Sequence, residues 1–497
     1  MNRNDDTAPI QAGACGAKLV IMEGDSVSVF SLEERPEWMV GRAESASVPG
    51  VIPLHSPIVS RYHGKLIKSG GIWSYLDNPG NTNGTLINGS LIPRNGGIPV
   101  RLYDGDVLRI DKAAGTDSLR NAVLMLFTTA SAEGTWERRS IRGKQSVLIG
   151  RSQECDIVQP LPYLSAKHAE IQIRSDGYYL RDCGSKAGTF LNRQQVTQPV
   201  RLRDKDHFRL ADRSFFLVGN ALVYTACGSG RAQPAGEKPV ILRADIRTKR
   251  VRDNGGNGLK ELLRDVRLEI RQGTLVAMLG TAGAGKTTVM NCLNGMDLVG
   301  VEGSVVYRNV DLMQSFDQMK NLIGSVPQQK TFHATFTPEQ EFYFAARKRL
   351  PGDTTEAEIQ ERVDRTLDML SIQGVRHSRN SKLSGGEQTR VNVGIELVAD
   401  RDLLCLDEPD QGLSPNYKHE LFEILRRLAH ENGKTMLTII HDVSEIDMFD
   451  QVILLAKKDG VGRLAFSGTP AEARRYFGTD IRDAYALLDK HPERYIR

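Results

Sequence analysis

The stretch GTAGAGKTT at residues 280–288 sets Gly280, Gly283 and Gly285 ahead of Lys286, Thr287 and Thr288. Glycines at this spacing let backbone N–H groups curl around a polyphosphate. The lysine reaches its outer oxygens, and the threonine hydroxyl ligates a divalent cation. An apolar run at 276–279 precedes the loop and a helix-compatible stretch follows it, so the order is strand, loop, helix, with an anion-favouring helix N-terminus at the phosphates. A second apolar run, 403–406, ends in Asp407 and Glu408. Splitting a polyphosphate needs one carboxylate to hold Mg2+ and another to orient and activate water; Asp407 suits the first role and Glu408 the second. Between the two motifs sits LSGGE at 383–387, which contains Ser384, Gly385 and Gly386.

The first half carries residues for a different anion chemistry: Gly41 and Arg42, Ser60, Arg61 and His63, then Asn83, Gly84 and Asn88. A phosphorylated side chain has a charge of about −1.5 to −2 and three acceptor oxygens. Arg42 and Arg61 can give it charge-assisted hydrogen bonds and Ser60 a hydroxyl. The pattern recurs one domain further on: SRYH at 60–63 as SAKH at 165–168, NGTLIN at 83–88 as AGTFLN at 187–192, and RLYDGD at 101–106 as RLRDKD at 201–206. The second copy has Ala166 in place of Arg61 and Ala187 in place of Asn83, which removes one cation and one amide; Lys167 and Lys186 partly compensate for the charge.

These residues need two kinds of frame. Both copies of the repeat show short alternating segments broken by Gly, Asn and Pro, which predicts two all-β sandwiches. A Gly/Pro/Ala-rich stretch follows. From residue 240 apolar strand-like runs (276–279, 403–406, 437–440) alternate with helical patterns at 359–372 and 417–431, which predicts an α/β domain. The 497 residues suit about three domains. The expected boundaries are a flexible tail at 1–16, sandwiches at 17–130 and 131–227, a linker at 228–239 and the α/β domain at 240–497.

The bulk numbers exclude several classes. A net charge of +4 gives no electrostatic case for nucleic acid. The six cysteines are scattered without a C-x-x-C pair, which speaks against a metal site or a disulfide framework and fits a reducing compartment. No run of about 18 apolar residues is present to span a membrane.

Taken in order, GTAGAGKTT, Gln328 in VPQQ at 326–329, LSGGE, Asp407 with Glu408, and His441 in IIHD at 439–442 resemble the nucleotide-binding domain of an ABC transporter over roughly residues 240–497. FYFAARKRLP at 342–351, Glu387 and the segment from Arg463 onward resemble the G-type, pigment-transporter-like cassettes. The resemblance implies a P-loop NTPase fold with a helical subdomain, and ATP and Mg2+ as cofactors. It implies that Lys286 and Thr287 belong to the Walker A loop, that Gln328 senses Mg2+ and contacts the membrane subunit, and that Ser384, Gly385 and Gly386 cap the γ-phosphate held by a second cassette. It implies Walker B roles for Asp407 and Glu408, and a switch role at the γ-phosphate for His441. Two positions depart from the pattern. Ser414 stands where the family places an aspartate, and no Phe, Trp or Tyr occurs between Tyr224 and Tyr307, where an adenine-stacking ring belongs near Val251. Weaker and less base-selective nucleotide binding is expected.

The repeats resemble forkhead-associated (FHA) domains, which are phosphothreonine-binding β-sandwiches. The resemblance implies that Arg42, Ser60, Arg61, Asn83 and Asn88 bind the ligand and that His63 braces the loops. Binding is expected in the first copy and weakened or absent in the second. A further expectation is that phosphorylated Thr7 in the tail docks on an FHA site. Together these readings predict an ATP-hydrolysing subunit of a transporter, expected to be an exporter, that works as a homodimer. They place it at the inner face of the cell membrane through a permease partner, separate or removed, and under a Ser/Thr kinase and its threonine-phosphorylated protein. The alternative is a phosphothreonine-dependent scaffold with a slow nucleotide switch.

Overall fold

The computed structural model describes residues 7–9, 16–42, 49–69, 72–92, 97–103, 105–111, 121–128, 136–225, 238–252 and 258–496. Most of the expected linker at 228–239 lies outside the described residues. Two compact units divide the chain, Met1–Pro239 and Val240–Arg497.

In the first unit, each copy of the repeat folds as two facing sheets. The first copy pairs Val100–Arg101, Ile72–Asp77, Gly64–Ser69, Glu37–Arg42 and Val51–Leu54 in one sheet. Ser26–Ser31, Lys18–Glu23, Val123–Thr128, Val107–Ile110, Thr85–Ile87 and Ser90–Leu91 make the other. Side chains alternate faces along a strand, so Trp38 and Val40, Trp73 and Tyr75, and Leu108 and Ile110 meet in the core between the sheets. Two strands do not alternate with solvent. Lys18–Glu23 and Val123–Thr128 are apolar on both faces. Leu19, Ile21, Val123 and Met125 fill the sandwich core. Val20, Met22, Leu124 and Leu126 point the other way and pack on Phe216, Val218 and Val223 of the second copy.

The two sandwiches are therefore joined through an apolar face rather than strung on a hinge. Lys205, fully buried, completes the joint: its ammonium donates to the Gly24 carbonyl and pairs with Asp204 at 3.2 Å. Arg109 donates to the Lys205 carbonyl at 3.2 Å. Phe216 is fully buried in this face and stacks on His207 at 4.5 Å. Phe216→Ala is expected to cost about 3–5 kcal/mol through lost burial and the cavity left behind. All three tryptophans lie in this unit, so a guanidinium titration followed by tryptophan emission reads it selectively, and an unshifted midpoint would contradict the joint.

Within the expected tail at 1–16, the described residues include a short strand. Thr7–Pro9 is a strand that pairs antiparallel with Trp136–Ser140, at the edge of the second sandwich's sheet. Edge strands offer unpaired backbone groups to any extended segment, and a proline is tolerated there.

The second unit is built on a sheet of ten described strands. Ile323–Val326, Leu403–Asp407, Thr435–Ile439, Leu275–Gly280 and Gln451–Lys458 run parallel as neighbours. Leu275–Gly280 is buried along its whole length, as strands covered on both faces are. The long hairpin of Val240–Arg252 and Leu259–Arg271 extends the sheet antiparallel. Helices Pro338–Arg349, Glu356–Met369 and Gly385–Leu397 form the helical subdomain and share one apolar core with the sheet. Each begins with a reciprocal capping box: Thr337 with Gln340, Thr355 with Glu358, and Ser384 with Glu387. The helix expected at 417–431 is Pro415–His430, started two residues earlier by a proline at its first position.

Candidate functional site

In parallel sheets ligands bind beyond the carboxyl ends of the strands, and the sequence-predicted residues gather there. Leu275–Gly280 delivers the glycine loop, Leu403–Asp407 delivers Asp407 and Glu408, Thr435–Ile439 leads to His441, and Ile323–Val326 leads to Gln328. Gly283 and Gly285 take φ values of 71° and 85°, which side-chain-bearing residues rarely adopt. Helix Lys286–Leu293 starts on Gly285 with no side-chain cap, so its first N–H groups are available to a ligand.

Lys286 folds over its own loop and donates to the Gly280 carbonyl at 3.0 Å. Burial pulls its ammonium below the usual lysine range, against the carboxylates of Glu408 and Asp407. Burial, followed by the neighbouring Glu408, raises Asp407. Thr287 Oγ1 lies 3.4 Å from Asp407 Oδ2. Both shifts mark charges short of compensation. A divalent cation against Asp407 and Thr287, and polyphosphate against Lys286, would supply it. The donors are oxygens and include one carboxylate, which fits Mg2+ shared with phosphate rather than an all-protein cage. Among the described residues, no cluster of three or more His, Cys, Asp or Glu residues suited to a metal is found.

Glu408 sits at φ 48°, a left-handed conformation that costs a non-glycine residue on the order of 1–3 kcal/mol. Its carboxylate is held on both oxygens: His441 Nε2 is 2.5 Å from Oε1, and Gln328 Nε2 is 3.0 Å from Oε2. Lys418 ties the segment after Glu408 to the segment after His441, at 3.5 Å from Asp410 and 2.7 Å from Asp442.

Ser384, Gly385 and Gly386 begin helix Gly385–Leu397, and no described hydrogen bond joins them to this cluster. Ser384 Oγ accepts from the Glu387 N–H and donates to its carboxylate. The same helix is tied to the chain beyond Gln328: Lys330 donates to Gln388 at 2.8 Å, and Asn392 accepts from Thr331. Sequence reading missed Lys330, Gln388, Asn392 and Lys418; none belongs to a short motif. Near Val251 a buried lysine, not an aromatic ring, fills the strand. Lys249 is buried with its ammonium 2.5 Å from Asp297 and 2.7 Å from the Val299 carbonyl.

In the first sandwich, Arg42 ends strand Glu37–Arg42 and is exposed, as is Arg61. The Arg42 N–H donates to the Ser60 carbonyl at 3.0 Å, and the Ser60 N–H donates to His63 Nδ1 at 3.2 Å. A side chain on Gly41 would meet the Arg61 carbonyl at 2.0 Å, so glycine is what lets the two arginine-bearing segments approach. Asn83 donates to the Ile58 carbonyl at 2.7 Å. Arg42, Ser60, Arg61 and Asn83 thus share one loop cluster. Asn88 has a different job: its amide donates to Asp106 at 2.8 Å and accepts from the Val107 N–H at 3.0 Å. The counterpart Asn192 makes the same pair of contacts with Asp206 and His207. The same ties in both copies mark a strand-to-strand brace, a structural role for Asn88 beside the ligand role expected of it.

The second sandwich keeps the frame. Gly150 approaches the Ala166 carbonyl as Gly41 approaches that of Arg61. Arg151 donates to the Leu164 carbonyl at 3.2 Å, Ser165 Oγ accepts from the Lys186 N–H, and Lys167 pairs with Glu154 at 3.5 Å.

The ABC transporter family matches residues 263–411, and the FHA domain family matches residues 38–111 and 147–211. ABC transporter ATP-binding/permease protein Rv1747 of Mycobacterium tuberculosis is 32% identical over 350 residues, covering 70% of this chain and 38% of that protein. ABC transporter G family member 28 of Arabidopsis thaliana is 35% identical over 227 residues, covering 44% of this chain and 20% of that protein. Protein white of Drosophila melanogaster is 33% identical over 228 residues, covering 44% and 32%. The chain spans well under half the length of each of these relatives.

Proposed function

Because this chain carries an ABC-transporter nucleotide-binding domain of the G-family kind behind two FHA domains, we propose that it is the ATP-hydrolysing part of a transporter answering to phosphothreonine signals. One observation supports this most strongly. Lys286, Thr287, Asp407, Glu408, Gln328 and His441 converge at the carboxyl ends of adjacent parallel strands. When bound, Mg2+ would offset the charge that develops on the phosphates. Asp407 and Thr287 would hold it. Lys286 turns from the Gly280 carbonyl to the phosphates. Glu408 takes a proton from the attacking water, and His441 keeps that carboxylate in place. Ser384, Gly385 and Gly386 of a second copy close the site, and the Lys330–Gln388 and Thr331–Asn392 ties carry the closure toward a membrane partner.

The first FHA domain reads the phosphothreonine of a kinase-marked protein through Arg42, Ser60, Arg61 and Asn83. The membrane-spanning part is supplied by another segment or subunit; no described helix is long and apolar enough to cross a bilayer. Ser414 favours a second reading, a slow nucleotide switch on a phosphothreonine scaffold. It precedes helix Pro415–His430 with neither a carboxylate nor a side-chain capping bond. Steady-state phosphate release by the full chain, alone and with its membrane partner in vesicles, separates the two. Partner-stimulated turnover is expected for the transporter. Bound Mg·ATP with negligible turnover in both settings would leave the switch, and no retention of Mg·ATP would remove both.

A further inference from the structure

Gln411 lies three residues beyond the proposed catalytic carboxylate, in a turn closed by its own N–H on the Glu408 carbonyl at 3.2 Å. Its exposed side chain does not simply face solvent. Gln411 Oε1 accepts from Gln328 Nε2 at 3.0 Å, and Gln411 Nε2 approaches Glu408 Oε2 at 3.4 Å. Gln328 Nε2 also donates to Glu408 Oε2 at 3.0 Å. The three side chains form a closed ring, and an amide nitrogen has two hydrogens to give. Gln411 takes one hydrogen of Gln328 and Glu408 takes the other. The Gln328 oxygen is then the atom left to meet a cation, and Mg2+ takes oxygen ligands.

We propose that Gln411 is a positioning residue that sets the orientation of the Gln328 amide and steadies the Glu408 carboxylate. The proposal rests on the ATPase reading above. Two contacts of Gln328, not one, fix which way its amide faces. With Glu408 alone, the amide could rotate about the remaining bond and lose its alignment. Glu408 holds a left-handed backbone, so a second tie on its side chain limits the conformations open to the strained turn. A side chain ending at its β- or γ-atom would not span from this turn to Gln328 and Glu408 together.

The test uses the full chain carrying Gln411→Met, which keeps length and loses the amide. Supporting contacts beyond the direct ligands are worth roughly 10–100-fold when removed. Gln411→Met is therefore expected to lower kcat about tenfold, with the KM for ATP within about twofold at saturating Mg2+. Binding of a fluorescent non-hydrolysable ATP analogue should need about tenfold more Mg2+, read at equilibrium without turnover. In a Gln328→Ala background, Gln411→Met should add no further change in the Mg2+ requirement, because coupled residues are not additive. The thermal midpoint serves as a folding control. An unchanged Mg2+ requirement and kcat would overturn the assignment. So would effects that multiply in the double variant, since Gln411 would then act independently of Gln328. An unaltered chain that binds no Mg·ATP would bring down the ATPase reading and the role of Gln411 together, which distinguishes that failure from the others.

Discussion

Glu408→Gln should bind Mg·ATP as well as the unaltered chain and release phosphate about 10²–10⁴ times more slowly, the range of a lost general base. The substitution keeps the shape of the side chain at a strained φ of 48°, so the turn and the flanking strand Leu403–Asp407 stay in place. What changes is chemistry. A carboxylate accepts on both oxygens, from Gln328 and from His441, and can take a proton from water; an amide cannot take that proton. Slow turnover with retained nucleotide should also trap two copies around ATP, because the closing loop of Ser384, Gly385 and Gly386 is a helix start suited to an anion. Phosphate release and gel filtration with Mg·ATP read the two effects. Unchanged turnover would mean that another group activates the water.

The second large effect belongs to the first FHA domain. Arg42→Ala should weaken binding of a phosphothreonine peptide about 10–150-fold, since a hydrogen bond to a charged group contributes about 1.5–3 kcal/mol. Arg42 is exposed at a strand end, so its loss leaves the fold alone. The parallel variant Arg151→Ala should leave binding nearly unchanged. Its neighbours Ala166 and Ala187 lack the second cation and the amide that Arg61 and Asn83 provide in the first copy. Titration by fluorescence anisotropy, with unphosphorylated peptide as control, checks both. Equal losses from the two variants would assign reading to both domains. A loss from Arg151→Ala alone would reverse their roles.

Much of this site is legible in the chain because its residues sit at strand ends, where motif and fold coincide. The glycine loop needs a strand before it and a helix after it, and both have local signals in residues 276–293. Likewise the Gly-Arg and Ser-x-x-His pairs occur twice, and repetition marks them as a frame. The bracing role of Asn88 at its positive-φ turn is not legible in the motif; the bonds to Asp106 and Val107 reveal it. Gln411 has no motif, and its partner Gln328 lies 83 residues earlier. The joint between the sandwiches was written as the unbroken apolar runs LVIM and VLMLF at 19–22 and 123–127. A run of that kind says that both faces are covered but not by what. Thr7–Pro9 is three residues long, too short for any periodicity to register.

The apolar joint also imposes an order on biosynthesis. When the ribosome has made residue 128, the first sandwich has its strands, but Val20, Met22, Leu124 and Leu126 still lack Phe216, Val218 and Val223. About 95 more residues must emerge, which takes roughly 5–20 seconds at the usual pace of synthesis. Through that interval the nascent chain shows water a greasy panel, and an expression clone ending near residue 130 would show it permanently. Chaperone dependence, and poor solubility of such a clone, are the cost of joining two signalling modules back to back.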